Sequence, residues 1–172
     1  MLAELFHTEQ THVGKLKMLY KVFANPMTRE QLLTSEVRQQ VFANLEEMIA
    51  LHVELNEKMK AMKSSGNLIG DVGDLLMSRF CGENGIVLKM AAAASNRNQT
   101  TGLEALKNSQ VKNPKLVKFL EEAANNPLCR RLLLRDIIPT GMQRLTKYPL
   151  LLVELVKYTP SKFVCWLKVR KS

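Results

Sequence analysis

CRRLLLRDIIPTGMQRLTKYPLLLVELVKYT, from Cys129 to Thr159, decides the reading of this chain. Apolar residues recur three and four apart through most of it, which is the spacing of a helix with one buried face. Pro139 and Pro149 lie ten residues apart inside that pattern. Proline removes a backbone donor and crowds the preceding turn, so helices seldom carry two. Between the prolines stands Gln143-Arg144-Leu145-Thr146-Lys147-Tyr148, in which Arg144 and Lys147 are i,i+3 neighbours on one side. Ile137, Ile138, Leu145, Leu150 to Leu152 and Leu155 are the expected interior positions. A buried helix with two prolines and a cationic side suits a functional surface. The same pattern suits a kinked core helix with solvated cations.

Upstream the periodicity is helical nearly throughout. Leu2, Leu5, Val13, Leu16, Leu19 and Phe23 mark a long amphipathic helix, with Glu9 bridging the gap between Leu5 and Val13. The spacing predicts an end near Asn25-Pro26. Thr28 to Gln31 predicts a short helical turn. Thr34 or Ser35 is placed to cap a second long helix running to about Lys63, on which Val41, Leu45, Met48, Ile49, His52, Leu55 and Met59 line one face. Ser64 to Asn67 reads as a break. A helix follows over Leu68 to Phe80, then a turn at Gly82 to Gly85. An alanine-rich helix starts near Ile86, and the polar stretch Ser95 to Thr101 is expected to loosen or bend it. Asn113-Pro114 opens another helix and Asn125-Asn126-Pro127 closes it. The last long helix is predicted over Arg131 to Tyr158. No run of alternating strand character and no internal repeat stands out. The fold expected is all-α, an elongated bundle of long helices.

Composition narrows the function. At 172 residues, with 46% hydrophobic and 24% charged residues, the chain suits one domain with a real core. No apolar run approaches the roughly 20 residues of a membrane span. The first residues carry Glu4 and no basic stretch, unlike a secretory signal. Three scattered cysteines, Cys81, Cys129 and Cys165, suit a reducing compartment. The expected location is therefore cytoplasmic. The net charge of +9 is unevenly placed, with +1 over residues 1–128 and +8 over residues 129–172. Such a basic end attracts an acidic protein, a nucleic acid or an anionic membrane. Interleaved aromatics for base stacking are missing from it, which argues against nucleic acid.

Candidate chemistry is sparse. His7 and His12 are five apart, whereas a zinc-protease helix needs histidines four apart, so no metal site is expected. His52 sits on an apolar face and reads as a packed side chain. Glu46-Glu47 and Glu121-Glu122 read as solvated faces. There is no glycine-rich phosphate loop and no nucleophile elbow. No cofactor and no bond-making enzyme is implied.

At three places the chain resembles a known family. MQRLTKYPLLL at Met142 to Leu152 resembles the third conserved block of Dbl-homology domains, the helical cores of guanine-nucleotide exchange factors for Rho-type GTPases. AELFHTEQTHVGKLKML at Ala3 to Leu19 resembles the first block, and FANLEEMIALHVELNEKM at Phe42 to Met59 the second. All three stand in the family's order and span the chain to about Thr159. IIPTGMQRLTKYPLLL together with CRRLLLRD is most similar to the subgroup that carries an RGS-like domain and acts on RhoA.

The resemblance implies a partner, a Rho-family GTPase with RhoA foremost, and a mechanism without bond chemistry. Such a domain binds the switch regions and stabilises the nucleotide-free GTPase, so nucleotide leaves by mass action. By the resemblance, Glu4 matches the glutamate that engages switch I, and Lys147 the lysine that contacts switch II. Arg130, Arg131, Arg135 and Arg144 are the further candidates for contact with the GTPase. Gln143, Arg144 and Tyr148 belong to the motif, where some orient or pack rather than touch the partner. The resemblance also implies recruitment to the plasma membrane through a parent protein.

Two departures stand out. Gly141 occupies a position that is often acidic in the subgroup. The family helix continues past Thr159 and carries an asparagine toward the GTPase, whereas Pro160 to Ser172 shows no family pattern. The expected organisation is a Dbl-homology domain over 1–159 with an incomplete last helix, then a divergent basic tail over 160–172. The competing reading is a fragment that binds a GTPase or another partner without driving exchange.

Overall fold

The computed structural model describes residues 2–65 and 68–157. Among them all regular structure is helical, in the order α1 (Leu2–Met18), a π-helical stretch (Leu19–Ala24), α2 (Asn25–Arg29), α3 (Ser35–Val41), α4 (Leu45–Ser65), α5 (Leu68–Phe80), α6 (Gly82–Lys112), α7 (Pro114–Ala124), a 3-10 turn (Pro127–Cys129) and α8 (Leu134–Lys157). This is the all-α bundle of long helices expected from the periodicity. The expectations for residues 158–172, including the end of the last helix and Cys165, fall outside the described residues.

The first helix does not stop at Pro26. It runs on into α2 through the π-helical stretch, where the amide of Asn25 donates to the carbonyl of Tyr20, five residues back. The widened turn leaves room for a ring that has no N–H and would otherwise crowd the carbonyl one turn below. Phe23, within this stretch, and Met27, just after it, are both buried. The chain then turns at Gln31, in the left-handed region with φ 50°.

The second predicted helix is two helices. The Thr34 side chain caps α3 by accepting from the amide of Val37 at 3.3 Å. A left-handed Asn44, φ 55°, separates α3 from α4, and its amide group donates to Glu47 at 2.9 Å. Asparagine tolerates this geometry better than most residues.

α6 runs unbroken for 31 residues, about 46 Å. The turn read at Gly82–Gly85 is its entry, with Gly82 at φ 60°. The polar stretch Ser95 to Thr101 stays helical, with Asn98 and Thr101 bonding carbonyls of their own helix. Two glycines of α6 touch backbone. A Cβ on Gly85 would stand 2.4 Å from the Phe80 carbonyl oxygen, and one on Gly102 would stand 2.6 Å from that of Gln40, in α3. Gly102 lets α3 lie directly on α6.

Two apolar clusters result. One gathers Leu16, Phe23, Met27, Met48, Leu106, Leu116, Cys129 and Ile137 from α1 through α8. The other gathers Leu5, Leu55, Met59, Val72, Leu75 and Tyr148. α1 packs against α4 and α8. The last helix begins at Leu134, later than predicted. Arg130 and Arg131 precede it in the left-handed region, φ 47° and 65°, on the link from the 3-10 turn. Pro139 and Pro149 both lie within α8.

Candidate functional site

The second cluster is crossed by a polar network that joins three helices. Glu9 of α1 is fully buried, with 0% of its surface exposed. Its Oε1 accepts from Nδ1 of His52, on α4, at 2.7 Å. Its Oε2 accepts from Nε and Nη2 of Arg144, on α8, at 3.0 and 2.7 Å, and from the hydroxyl of Tyr148. Arg144 Nη1 donates to the hydroxyl of Thr8 at 2.8 Å, and Nη2 reaches the carbonyl of Leu5 at 3.4 Å. The guanidinium also lies 4.6 Å from the centre of the Tyr148 ring. An isolated charge could not stay so deep, but here each has partners on several sides.

The electrostatics follow from this geometry. Burial opposes ionisation of Glu9, yet the hydrogen bonds from His52 and Tyr148 and the charge of Arg144 outweigh it and hold the carboxyl at about 2. Burial, helped by the neighbouring Glu9 charge, pushes the Tyr148 phenol well above its ordinary value. His12 packs edge-on against His52 with ring centres 4.5 Å apart. Burial and the proximity of His52 push the His12 imidazole down to about 3. Among the described residues, Nε2 of His12 and Nε2 of His52 are buried without a hydrogen-bond partner.

Above this network lies a surface. Glu4, in the first turn of α1, and Lys147 of α8 are both exposed. Each is one residue from a member of the buried layer, Glu4 beside Leu5 and Lys147 beside Tyr148. They stand on two helices that pack against each other. Beyond Lys147, α8 exposes Leu150 and Val153, 68% and 58% accessible. Leu150 and Val153 follow Lys147 at three-residue steps, each turning about 60° round the helix, and all three are exposed.

The structure departs from three expectations here. Arg144 is not on the surface with Lys147; it is 5% exposed and four of its five N–H groups have acceptors within the chain. An i,i+3 pair spans about 60° of helix, enough for one member to face in and the other out at the edge of a packed face. Leu150 is not an interior residue. Arg131 stands on the link before α8, beside Arg130, rather than on the helix. Arg130, Arg131 and Arg135 are exposed, Arg135 lying 3.9 Å from Asp136.

Sequence reasoning missed the network itself. Its signal was present as polar residues on apolar faces, Glu9 between Leu5 and Val13 and His52 between Met48 and Leu55. Tyr148 and Arg144 pack inside the bundle, whereas Gln143 is exposed. His52 is a packed side chain, as its helical face implied. Among the described residues no three His, Cys, Asp or Glu side chains converge as a metal group, and no helix is long and apolar enough to cross a membrane.

The fold and site define an all-α helical bundle domain in which α1 and α8 pack together, α1 exposing Glu4 and α8 exposing Lys147, Leu150 and Val153. The chain belongs to the RhoGEF domain family, which it matches over residues 1–163. It is 45% identical over 161 residues to the human protein named Rho guanine nucleotide exchange factor 12, covering 92% of this chain and 10% of that protein. It is 41% identical over 160 residues to human Rho guanine nucleotide exchange factor 1, covering 92% and 18%. A crystal structure of human RhoA in complex with a DH/PH fragment of PDZRHOGEF superposes with a TM-score of 0.88 at 40% identity, covering 92% of this chain and 44% of that one. The DH/PH domains of p115-RhoGEF (R399E mutant) give 0.85 at 38% identity, covering 94% and 47%. The chain thus spans only about a tenth to a fifth of these curated relatives and about half of the DH/PH structures.

Proposed function

We propose that this chain is a guanine-nucleotide exchange domain for a Rho-family GTPase, RhoA foremost. The observation that carries the reading is that α1 and α8 pack together and expose Glu4 and Lys147, in a chain 40% identical to a fragment crystallised with RhoA. Glu4 engages switch I and Lys147 switch II. Leu150 and Val153 supply the apolar part of the same face. Arg130, Arg131 and Arg135 extend it with positive charge toward acidic residues of the GTPase, and Arg144 serves it from within. The domain spans 1–159, with the basic tail 160–172 beyond it. The working location is the cytoplasm, with recruitment to the plasma membrane through a parent protein.

Binding of this kind makes and breaks no bond. It favours the GTPase conformation that holds nucleotide and magnesium poorly, and the nucleotide dissociates. The test is release of a fluorescent guanine nucleotide from RhoA and from Rac as the chain is added. Faster release that depends on Glu4 and Lys147 is the expected result. Tight binding to nucleotide-free RhoA with no faster release would assign the chain to the binding-only alternative. Neither binding nor release would overturn both.

A further inference from the structure

We infer that Thr8 is a positioning residue for exchange, the link through which the buried Arg144 sets the orientation of Glu4; this rests on the exchange function proposed above. A threonine hydroxyl has one proton to donate and lone pairs to accept. Here Oγ1 of Thr8 donates to the backbone carbonyl of Glu4 at 2.7 Å, with the Leu5 carbonyl further off at 3.1 Å, and it accepts from Nη1 of Arg144 at 2.8 Å. A continuous chain of hydrogen bonds therefore runs from the Glu9 carboxylate through the Arg144 guanidinium and the Thr8 hydroxyl to the peptide unit of Glu4 itself. Its middle link, Arg144, stands on α8, three residues before Lys147.

The chain does something that apolar packing of α1 does not. A threonine bonding back to the carbonyl four residues earlier bends a helix slightly. A charged donor on the same hydroxyl polarises it and strengthens the bond it gives. The direction of the Glu4 peptide, and with it the path of the Glu4 side chain, is tied to Arg144 rather than left to the helix. The spacing of Glu4 from Lys147 then becomes a property of the buried network. Thr8 itself is partly covered and need touch no partner.

The experiment is a double-mutant cycle on the whole chain, read by nucleotide release from RhoA. Thr8→Val keeps the shape of the side chain and removes the hydroxyl; it should slow release by about tenfold, the usual scale for losing a charge-assisted hydrogen bond. Thr8→Ser keeps the hydroxyl and should stay within about twofold of wild type by the same reasoning. In a Glu4→Ala background, Thr8→Val should have little further effect, because nothing remains for Thr8 to orient. If Glu4→Ala release falls to the intrinsic rate, the same cycle is read as affinity for nucleotide-free RhoA. A general loss of folding would slow release by the same factor in both backgrounds, and that additive result would overturn the inference while leaving the exchange function standing. Unchanged release by Thr8→Val would overturn it as well. A wild-type chain that neither releases nucleotide nor binds RhoA overturns the proposed function and this inference with it.

Discussion

At the scale of single residues the buried carboxylate dominates. Removing Arg144 leaves Glu9 charged and enclosed with too few donors. Arg144→Ala should cost about 3–5 kcal/mol, as breaking one side of a buried ion pair does, visible as a large fall in melting temperature. Glu4→Ala and Lys147→Ala, both exposed, should leave melting nearly unchanged while slowing exchange by at least about tenfold, if they act as interface anchors. Loss of stability in step with loss of activity would show that they serve the fold. Acid should act through two groups in the same direction. Unfolded His12 takes a proton below about 6.5, but the folded site keeps it neutral down to about 3, so stability declines as pH falls through that range. Glu9 titrates near 4.5 when unfolded and near 2 when folded, so its contribution is complete above 4.5 and is lost on the way to 2. Melting followed from pH 8 to 4 should therefore drop first below about pH 6.5. His12→Leu should flatten the part between 6.5 and 4.5, and an unflattened curve would assign that slope to other groups.

At the scale of elements, helices were legible wherever apolar spacing was regular, and their joints were not. Pro26 reads as a stop because proline breaks an α-turn, but a π-turn accepts it. The gap at Phe42 to Asn44 has no glycine or proline to announce it, and Asn44 supplies the left-handed residue instead. The spacing predicts a start for α8 at Arg131 because Arg131 to Leu133 continue the helical pattern, whereas Arg130 and Arg131 are left-handed. The surface residues Glu4 and Lys147 came from the motif resemblance, since nothing in their spacing separates them from solvated charge. Arg144 reads as a surface cation because a cation three residues from a lysine gives no sign of a carboxylate 135 residues away. Glycines divide in the same manner. Gly102 contacts the backbone of α3, and Gly102→Ala should cost about 1–3 kcal/mol as α3 is forced off α6. Gly141 has open space around its Cβ direction and lies inside α8, so Gly141→Ala should stabilise by about 1 kcal/mol through helix propensity. Thermal melts of the pair should move in opposite directions.

At the scale of the molecule, charge and chain path matter most. Arg130, Arg131, Arg135 and Lys147 stand on the surface of the positively charged end of the chain, and we expect them to steer an acidic partner. Association with RhoA should slow as salt rises, because the Debye length shortens from about 10 Å at 0.1 M to about 3 Å at 1 M, and exchange should favour RhoA over Rac. Equal rates on both GTPases would remove the selectivity while leaving the family assignment intact. The Glu9 network also carries a consequence for how the protein is made. Its members come from both ends of the described chain, with Glu9 and Tyr148 separated by 139 residues. Contacts so distant in sequence close late, and synthesis proceeds from the N-terminus. While a ribosome is still completing α8, α1 and α4 hold a carboxylate and two histidines with no guanidinium to meet them. Nascent chains arrested before Arg144 should therefore be cut readily by protease within α1, and chains extended beyond Tyr148 should resist, which would place the commitment to the native bundle in the last stretch of translation.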